Sequence, residues 1–155
     1  MKQDQHYRVS FLTRILAVDD FEPWRKFVRV ALQEHPHLRN ISEVSDGVEA
    51  VQKAQEWQPD LILLDICLPR LNGIEVGRQI RLVAPKAKIL FVSGNEEAGL
   101  TEDALLTGAS GYVVKTDAGR ELLTAIHAIM DGKRFVSESL RGGHAYDFER
   151  WQAAD

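Results

Sequence analysis

The sequence predicts an α/β domain: five βα units forming a doubly wound parallel sheet of order 2-1-3-4-5, helices on both faces, a three-layer sandwich. Three observations predict it. Ile15-Leu16-Ala17-Val18, Leu61-Ile62-Leu63-Leu64 and Ile89-Leu90-Phe91-Val92 are continuous apolar runs, the pattern of strands buried on both faces. Helical patterns alternate with them along the chain. Each run also ends in polar groups, which right-handed crossovers would bring to one edge of the sheet.

The elements follow in order. Strand one runs into Asp19-Asp20. Glu22-Pro23 opens a helix, with proline in its first turn, and Trp24, Phe27, Val28 and Ala31 give it an apolar stripe. Pro36 ends it, and Ile41 to Val44 is a short second strand. Asp46 caps the second helix, with Glu49 three residues on. Strand three ends at Asp65. Asn72 caps the third helix, which buries Gly73, Val76, Gly77, Ile80 and Ala84. Strand four ends at Ser93. The fourth helix, roughly 97–106, carries Gly99 and lacks a strong stripe, so it is expected to be the least stable. Tyr112-Val113-Val114 ends at Lys115, and Asp117 is expected to cap a fifth helix that turns Leu122, Leu123, Ile126, Ile129 and Met130 inward until Gly132 stops it. From Phe135 the alternation stops. The expected organisation is a polar N-terminal extension at 1–13, a domain at 14–134, and a tail or truncated linker at 135–155.

Composition bounds the function. At 155 residues one domain is the natural expectation, and 45% hydrophobic residues can fill its core. A net charge of −4 argues against a dedicated nucleic-acid surface. Cys67 is the only cysteine, so no internal disulfide forms, which fits a reducing cytoplasmic setting. No run approaches the roughly 18 apolar residues of a membrane span. The five histidines, His6, His35, His37, His127 and His144, show no ligand spacing and read as surface or packing residues.

The order 2-1-3-4-5 places strands one and three side by side, with the switch-point crevice between their carboxyl ends. Asp19, Asp20 and Asp65 then meet there, with Ser93 and Lys115 beside them. Three carboxylates, a hydroxyl and an ammonium make a site for a divalent cation and a phosphoryl group.

Four motifs in this order resemble the receiver domain of two-component response regulators over about 14–140. They are Val18-Asp19-Asp20; Asp65 followed by Pro69 and Gly73; Ser93-Gly94; and Gly111-Tyr112-Val113-Val114-Lys115. The segment from Gly111 to Leu140 is most similar to the NarL/FixJ branch, whose members usually carry a LuxR-type helix-turn-helix. The resemblance implies a flavodoxin-like fold and assigns roles. Asp65 would be the phosphoacceptor, taking its phosphoryl group from a sensor histidine kinase. Asp20 would hold Mg²⁺ directly and Asp19 through water, with Asp65 and the backbone carbonyl of Cys67 completing the protein ligands. Lys115 would pair with the phosphoryl oxygens, Ser93 would donate to one of them, and Gly94 would leave room for the group. In switching, Ser93 moves toward the phosphoryl group and Tyr112 rotates inward. No turnover of an external substrate is implied beyond self-catalysed phosphotransfer and dephosphorylation.

Some features depart from the family. Thr116 stands where a proline commonly follows the lysine. Cys67 and Asn95 occupy positions that tune phosphate lifetime. About twenty residues follow Ser137, too few for a three-helix DNA-binding module. The expected partners are a histidine kinase and a downstream effector or a missing output domain, with no DNA or membrane contact by this chain and a weak homodimer. That dimer would use either helices one and five or the helix four–strand five–helix five face. Helix five offers Arg120, Glu121 and His127 as exposed polar positions. Two other readings stand beside this one. A haloacid dehalogenase-type phosphatase also uses a strand-end aspartate with Mg²⁺, but needs a second aspartate where Cys67 stands. A degenerate receiver could serve as a scaffold. The tail aromatics Tyr146, Phe148 and Trp151 are left open between packing on the domain and docking a partner.

Overall fold

The apolar runs form the centre of a parallel sheet in the computed structural model, which describes residues 13–95, 97–141 and 146–154. The strands are β1 (Ile15–Val18), β2 (Ile41–Val44), β3 (Leu61–Leu64), β4 (Lys88–Ser93), β5 (Gly111–Val114) and β6 (Phe135–Val136). Their order is 2-1-3-4-5-6, all pairs parallel. The expected order of the first five holds. The sixth strand is an addition: Phe135 and Val136 pair with Gly111 and Tyr112 where the sequence pattern pointed to a tail.

The helices are α1 (Glu22–Leu32), α2 (Gly47–Trp57), α3 (Gly73–Val83), α4 (Ala98–Leu105), α5 (Ala118–Met130) and α6 (Phe148–Ala153). Strand side chains alternate between two layers. Ile15, Leu61, Leu63, Leu90, Val92 and Val113 pack with Val28 and Leu32 of α1 and with Leu122, Ala125, Ile126 and Ile129 of α5. Leu16, Val18, Ile62, Leu64, Phe91 and Val114 pack with α2, α3 and α4 on the other face. Fully burying one such side chain contributes about 1.5–3 kcal/mol, so this two-sided core holds the strand ends in fixed register.

The capping residues behave as their positions require. Asp46 accepts from Glu49 N at 2.8 Å, and Asn72 from Glu75 N at 3.1 Å. In α1 the buried stripe is Val28 and Leu32, while Phe27 faces solvent and stacks on Trp24 with ring centres 5.0 Å apart. Helix α4 has only eight residues and no side-chain cap, and Leu106 at its end is 66% exposed.

Two expectations around α5 are corrected. Lys115–Asp117 form a 3-10 turn, so Asp117 has helical dihedrals and no capping bond. Its carboxylate instead accepts from Ser139 Oγ at 2.7 Å and Arg120 Nη2 at 3.0 Å. Glu121 is not an exposed polar position. It is buried, accepting from Ser137 Oγ at 2.6 Å and Glu138 N at 3.0 Å, while Ser137 Oγ accepts from Val114 N at 2.9 Å. These bonds latch the segment after β6 onto β5 and α5. Ser137→Ala removes the hydroxyl that serves both Val114 N–H and the Glu121 carboxylate. We expect a loss of about 1–3 kcal/mol, read as a lower urea midpoint with an unchanged m-value.

The tail aromatics pack back. Phe148 is 1% exposed within the core, with Tyr146 and Trp151 partly buried against it. Arg134 lies over the Trp151 ring, 4.7 Å from its centre. The 1–12 part of the N-terminal extension, Gly142 and Gly143 lie outside the described residues.

Candidate functional site

Sheet register builds the site. Val18 pairs with Leu64, so Asp19 and Asp65 leave adjacent strands at the same edge. Ser93 pairs with Val114, which places Lys115 one residue past it on the neighbouring strand. Carboxylate oxygens of Asp19, Asp20 and Asp65 all lie within 4.8 Å of one another. Asp19 and Asp65 are buried and Asp20 is exposed.

Lys115 holds the two buried acids. Its Nζ is 2.6 Å from Asp19 Oδ2 and 3.5 Å from Asp65 Oδ2. The Asp19 contact is an ion pair without hydrogen-bond geometry, so that buried oxygen makes no hydrogen bond. Asp19 Oδ1 accepts from Phe21 N at 2.9 Å, and Asp65 Oδ1 from Ile66 N at 2.8 Å. Burial pushes the Asp65 carboxyl above the ordinary carboxylate range, with Asp19 adding to the effect and Lys115, Ile66 N–H and the Ser93 hydroxyl opposing it.

The loop after β3 is fixed by close packing. A Cβ on Gly73 would sit 1.9 Å from the Asp65 carbonyl oxygen, so only glycine lets α3 start against the strand end. Gly73 N donates to Ile66 O at 2.7 Å. Around Gly94 an added Cβ would meet nothing within 4 Å, the open space that an incoming group needs. Cys67 is exposed and lines a groove with Asp20, Asn72, Arg78 and Asp103.

Tyr112 is fully buried, its hydroxyl donating to Asn95 O at 2.7 Å and its ring 6.2 Å from Phe91. Burial pushes the phenol up to about 12, against the pull of Ser93 and Thr101. The sequence reading had Tyr112 turning inward on switching; in this structure the ring is already inside. Among the described residues no peptide bond is cis, the bond to Thr116 included.

All the expected site residues gather at one edge. Two others were missed. Trp24 was read as core, yet its ring lies under Lys115, with Nζ 5.1 Å from its centre. Arg25 donates to the Asp19 carbonyl and to Glu43 Oε1, pinning the acidic turn to β2. Their position in the first turn of α1, just after Asp20, was the available signal.

The donor set suits a hard divalent cation. It is all oxygen, carries excess negative charge, and includes a buried oxygen without a hydrogen bond.

Comparison with known proteins agrees with this geometry. Residues 15–127 match the response regulator receiver domain. The chain is 34% identical over 128 residues to the nitrate/nitrite response regulator protein NarL of Escherichia coli K12, covering 81% of this chain and 58% of NarL. It is 30% identical over 123 residues to the transcriptional regulatory protein DegU of Brevibacillus brevis, covering 79% of this chain and 52% of DegU. The chain thus spans little more than half the length of these curated relatives. Among solved structures, a LuxR-family two-component response regulator from Aurantimonas sp. SI85-9A1 superposes with a TM-score of 0.77 at 35% identity, covering 82% of this chain and 91% of that one. Nothing in these matches supports a phosphatase. With the acidic edge, the sheet order and the match over 15–127 in agreement, the chain belongs to the response regulator receiver domain family.

Proposed function

We propose that Asp65 accepts a phosphoryl group from the phosphohistidine of a sensor kinase in a Mg²⁺-dependent reaction, and that this switches binding to an output partner. The carrying observation is the convergence of three carboxylates with Lys115 at one strand edge. Asp65 is the nucleophile in this reading. Its Oδ1 is occupied by Ile66 N–H, so Oδ2, turned toward Lys115, attacks phosphorus as the bond to the histidine nitrogen breaks. Asp20 would hold the cation directly and Asp19 through water, with Asp65 and the Cys67 carbonyl as further ligands. When bound, Mg²⁺ would supply the positive charge that offsets the clustered carboxylates and the charge developing on the phosphoryl oxygens. Lys115 then exchanges Asp19 for a phosphoryl oxygen, and Ser93 donates to another. Tyr112 reports the Ser93 position through the space beside Thr101, and α4, poorly capped, is the element that responds.

The partners follow from the class. A receiver domain works with a histidine kinase and an output. The similarity to NarL and DegU favours a DNA-binding output in the whole protein. A weak homodimer through α1 and α5, or through α4, β5 and α5, would modulate it.

Metal binding has its own test. Mg²⁺ should raise the Tm of the chain by several degrees, since a ligand at 100 times its Kd adds about 2.7 kcal/mol to the folded state. Asp19→Asn should remove most of that rise. An equal Mg²⁺ response in the variant would contradict the assignment of the cation to this edge.

A further inference from the structure

At the opposite edge of the sheet, where the strands begin, three histidines come together that sequence spacing had left apart. His35 and His37 flank Pro36 in the turn between α1 and β2, and His127 lies near the end of α5. The ring centres are 5.7 Å apart for His37–His127, 6.1 Å for His35–His127 and 6.2 Å for His35–His37. The Nε2 atoms of His37 and His127 face each other at 3.4 Å.

The His37–His127 spacing is that of two ligands on one ion. Imidazole nitrogens at about 2.0–2.1 Å from a tetrahedral ion lie about 3.3–3.4 Å apart, and their ring centres about 5 Å apart. The His37–His127 nitrogens already stand at the first separation. His35 lies edge-on to both partners, and its ring would have to turn inward to add a third nitrogen. The backbones that carry the rings are anchored. Leu38 is buried beside His37, and Ile126 and Ile129 flank His127 in the same core layer. A turn and a helix held by one core fix ligand positions better than a free loop.

We propose that His35, His37 and His127 form a binding site for a borderline divalent transition-metal ion, with Zn²⁺ as the representative, in which three imidazoles leave the fourth position to water. The nitrogen donors separate it from the acidic edge, whose all-oxygen set suits a harder ion. Ligation needs the neutral imidazole. The bound ion would clamp the turn after α1 to α5.

The test is calorimetric titration of the full chain with Zn²⁺ in saturating Mg²⁺, so that the acidic edge is occupied. We expect one saturable site per chain. His37→Ala and His127→Ala should each weaken it by about tenfold or more. His35→Ala should weaken it to a lesser extent, and Asp65→Asn should leave it unchanged. Co²⁺ in place of Zn²⁺ should give the intense visible absorption of a tetrahedral site, lost in the His37→Ala/His127→Ala double variant. The absence of saturable binding, its survival in that double variant, or its loss in Asp65→Asn overturns the proposal. The Asp65→Asn arm also separates it from failure of the phosphoacceptor reading.

Discussion

Asp65→Asn should end phosphoryl acceptance and, in the same protein, raise stability. Incubation with acetyl phosphate and Mg²⁺ should add one phosphate to the parent chain and nothing to the variant, and chelation should abolish the parent's gain. An amide oxygen lacks the charge to attack phosphorus, so this loss is complete rather than graded. The stability change runs the other way because the site is built against Asp65. Burial holds its carboxyl above the ordinary range, with Asp19 beside it. A carboxyl whose native pKa is raised supports the folded state below its unfolded pKa. That support disappears as pH rises through the native value. At neutral pH without metal the ionised group therefore weakens the fold, and asparagine relieves it. The expected gain is about 1–2 kcal/mol, roughly 2–8 °C in Tm, shrinking as pH falls toward the ordinary carboxylate range. Phosphorylation that persists in the variant would remove Asp65 as acceptor. A variant less stable than the parent at neutral pH without metal would show that Asp65 is not strained by its surroundings.

The parts of this fold that the sequence announces are those whose signal is local. Leu61–Leu64 is apolar at every position because the strand is covered on both faces, and it lies at the sheet centre. Asp46 and Asn72 announce their helices because a cap acts on the N–H three residues away. The acidic edge was legible for a related reason. Once β1 and β3 are neighbours, register alone brings Asp19 and Asp65 together.

What escaped depends on contacts far apart in the chain. The strand β6 is two residues long, too short for any period to show, and exists because β5 offers an edge to Phe135 and Val136. Glu121 looks like a surface helix residue until Ser137 and Glu138 fold over it. Asp117 precedes a helix as caps do, but the 3-10 turn before α5 takes that role from it. His37 and His127 are ninety positions apart and meet only because α5 packs beside the turn after α1. Tyr112 was expected to turn inward only on switching, and the Asn95 carbonyl, seventeen positions away, is what lets its hydroxyl be buried here.

Lys115→Ala should separate holding the fold from passing the signal. The lysine is 22% exposed and stands between carboxylates that are 1% and 8% exposed. Removing it leaves two buried acids without their cation. The expected cost is about 3 kcal/mol at neutral pH without metal, the lower end for breaking a buried pair because the lysine keeps some solvent. Two dependences identify the cause. The deficit should shrink in acid, since protonating Asp65, whose carboxyl is held above the ordinary range, removes the repulsion that Lys115 relieved. It should also shrink with Mg²⁺, which replaces the lost positive charge, so the variant should gain more Tm from Mg²⁺ than the parent does. Signalling should fail differently. Asp65 and the cation ligands remain, so phosphorylation should persist at a reduced level. In the proposed function Lys115 would join the phosphoryl oxygens to the end of β5, from which the latch at Ser137 and the start of α5 continue. Amide exchange with and without beryllofluoride should therefore show protection changes across α4, β5 and α5 in the parent, and little change in the variant. A variant as stable as the parent without Mg²⁺ would show that the ion pairs contribute nothing to the fold. An undiminished beryllofluoride response would assign the coupling to another residue, with Ser93 and Tyr112 the next to test.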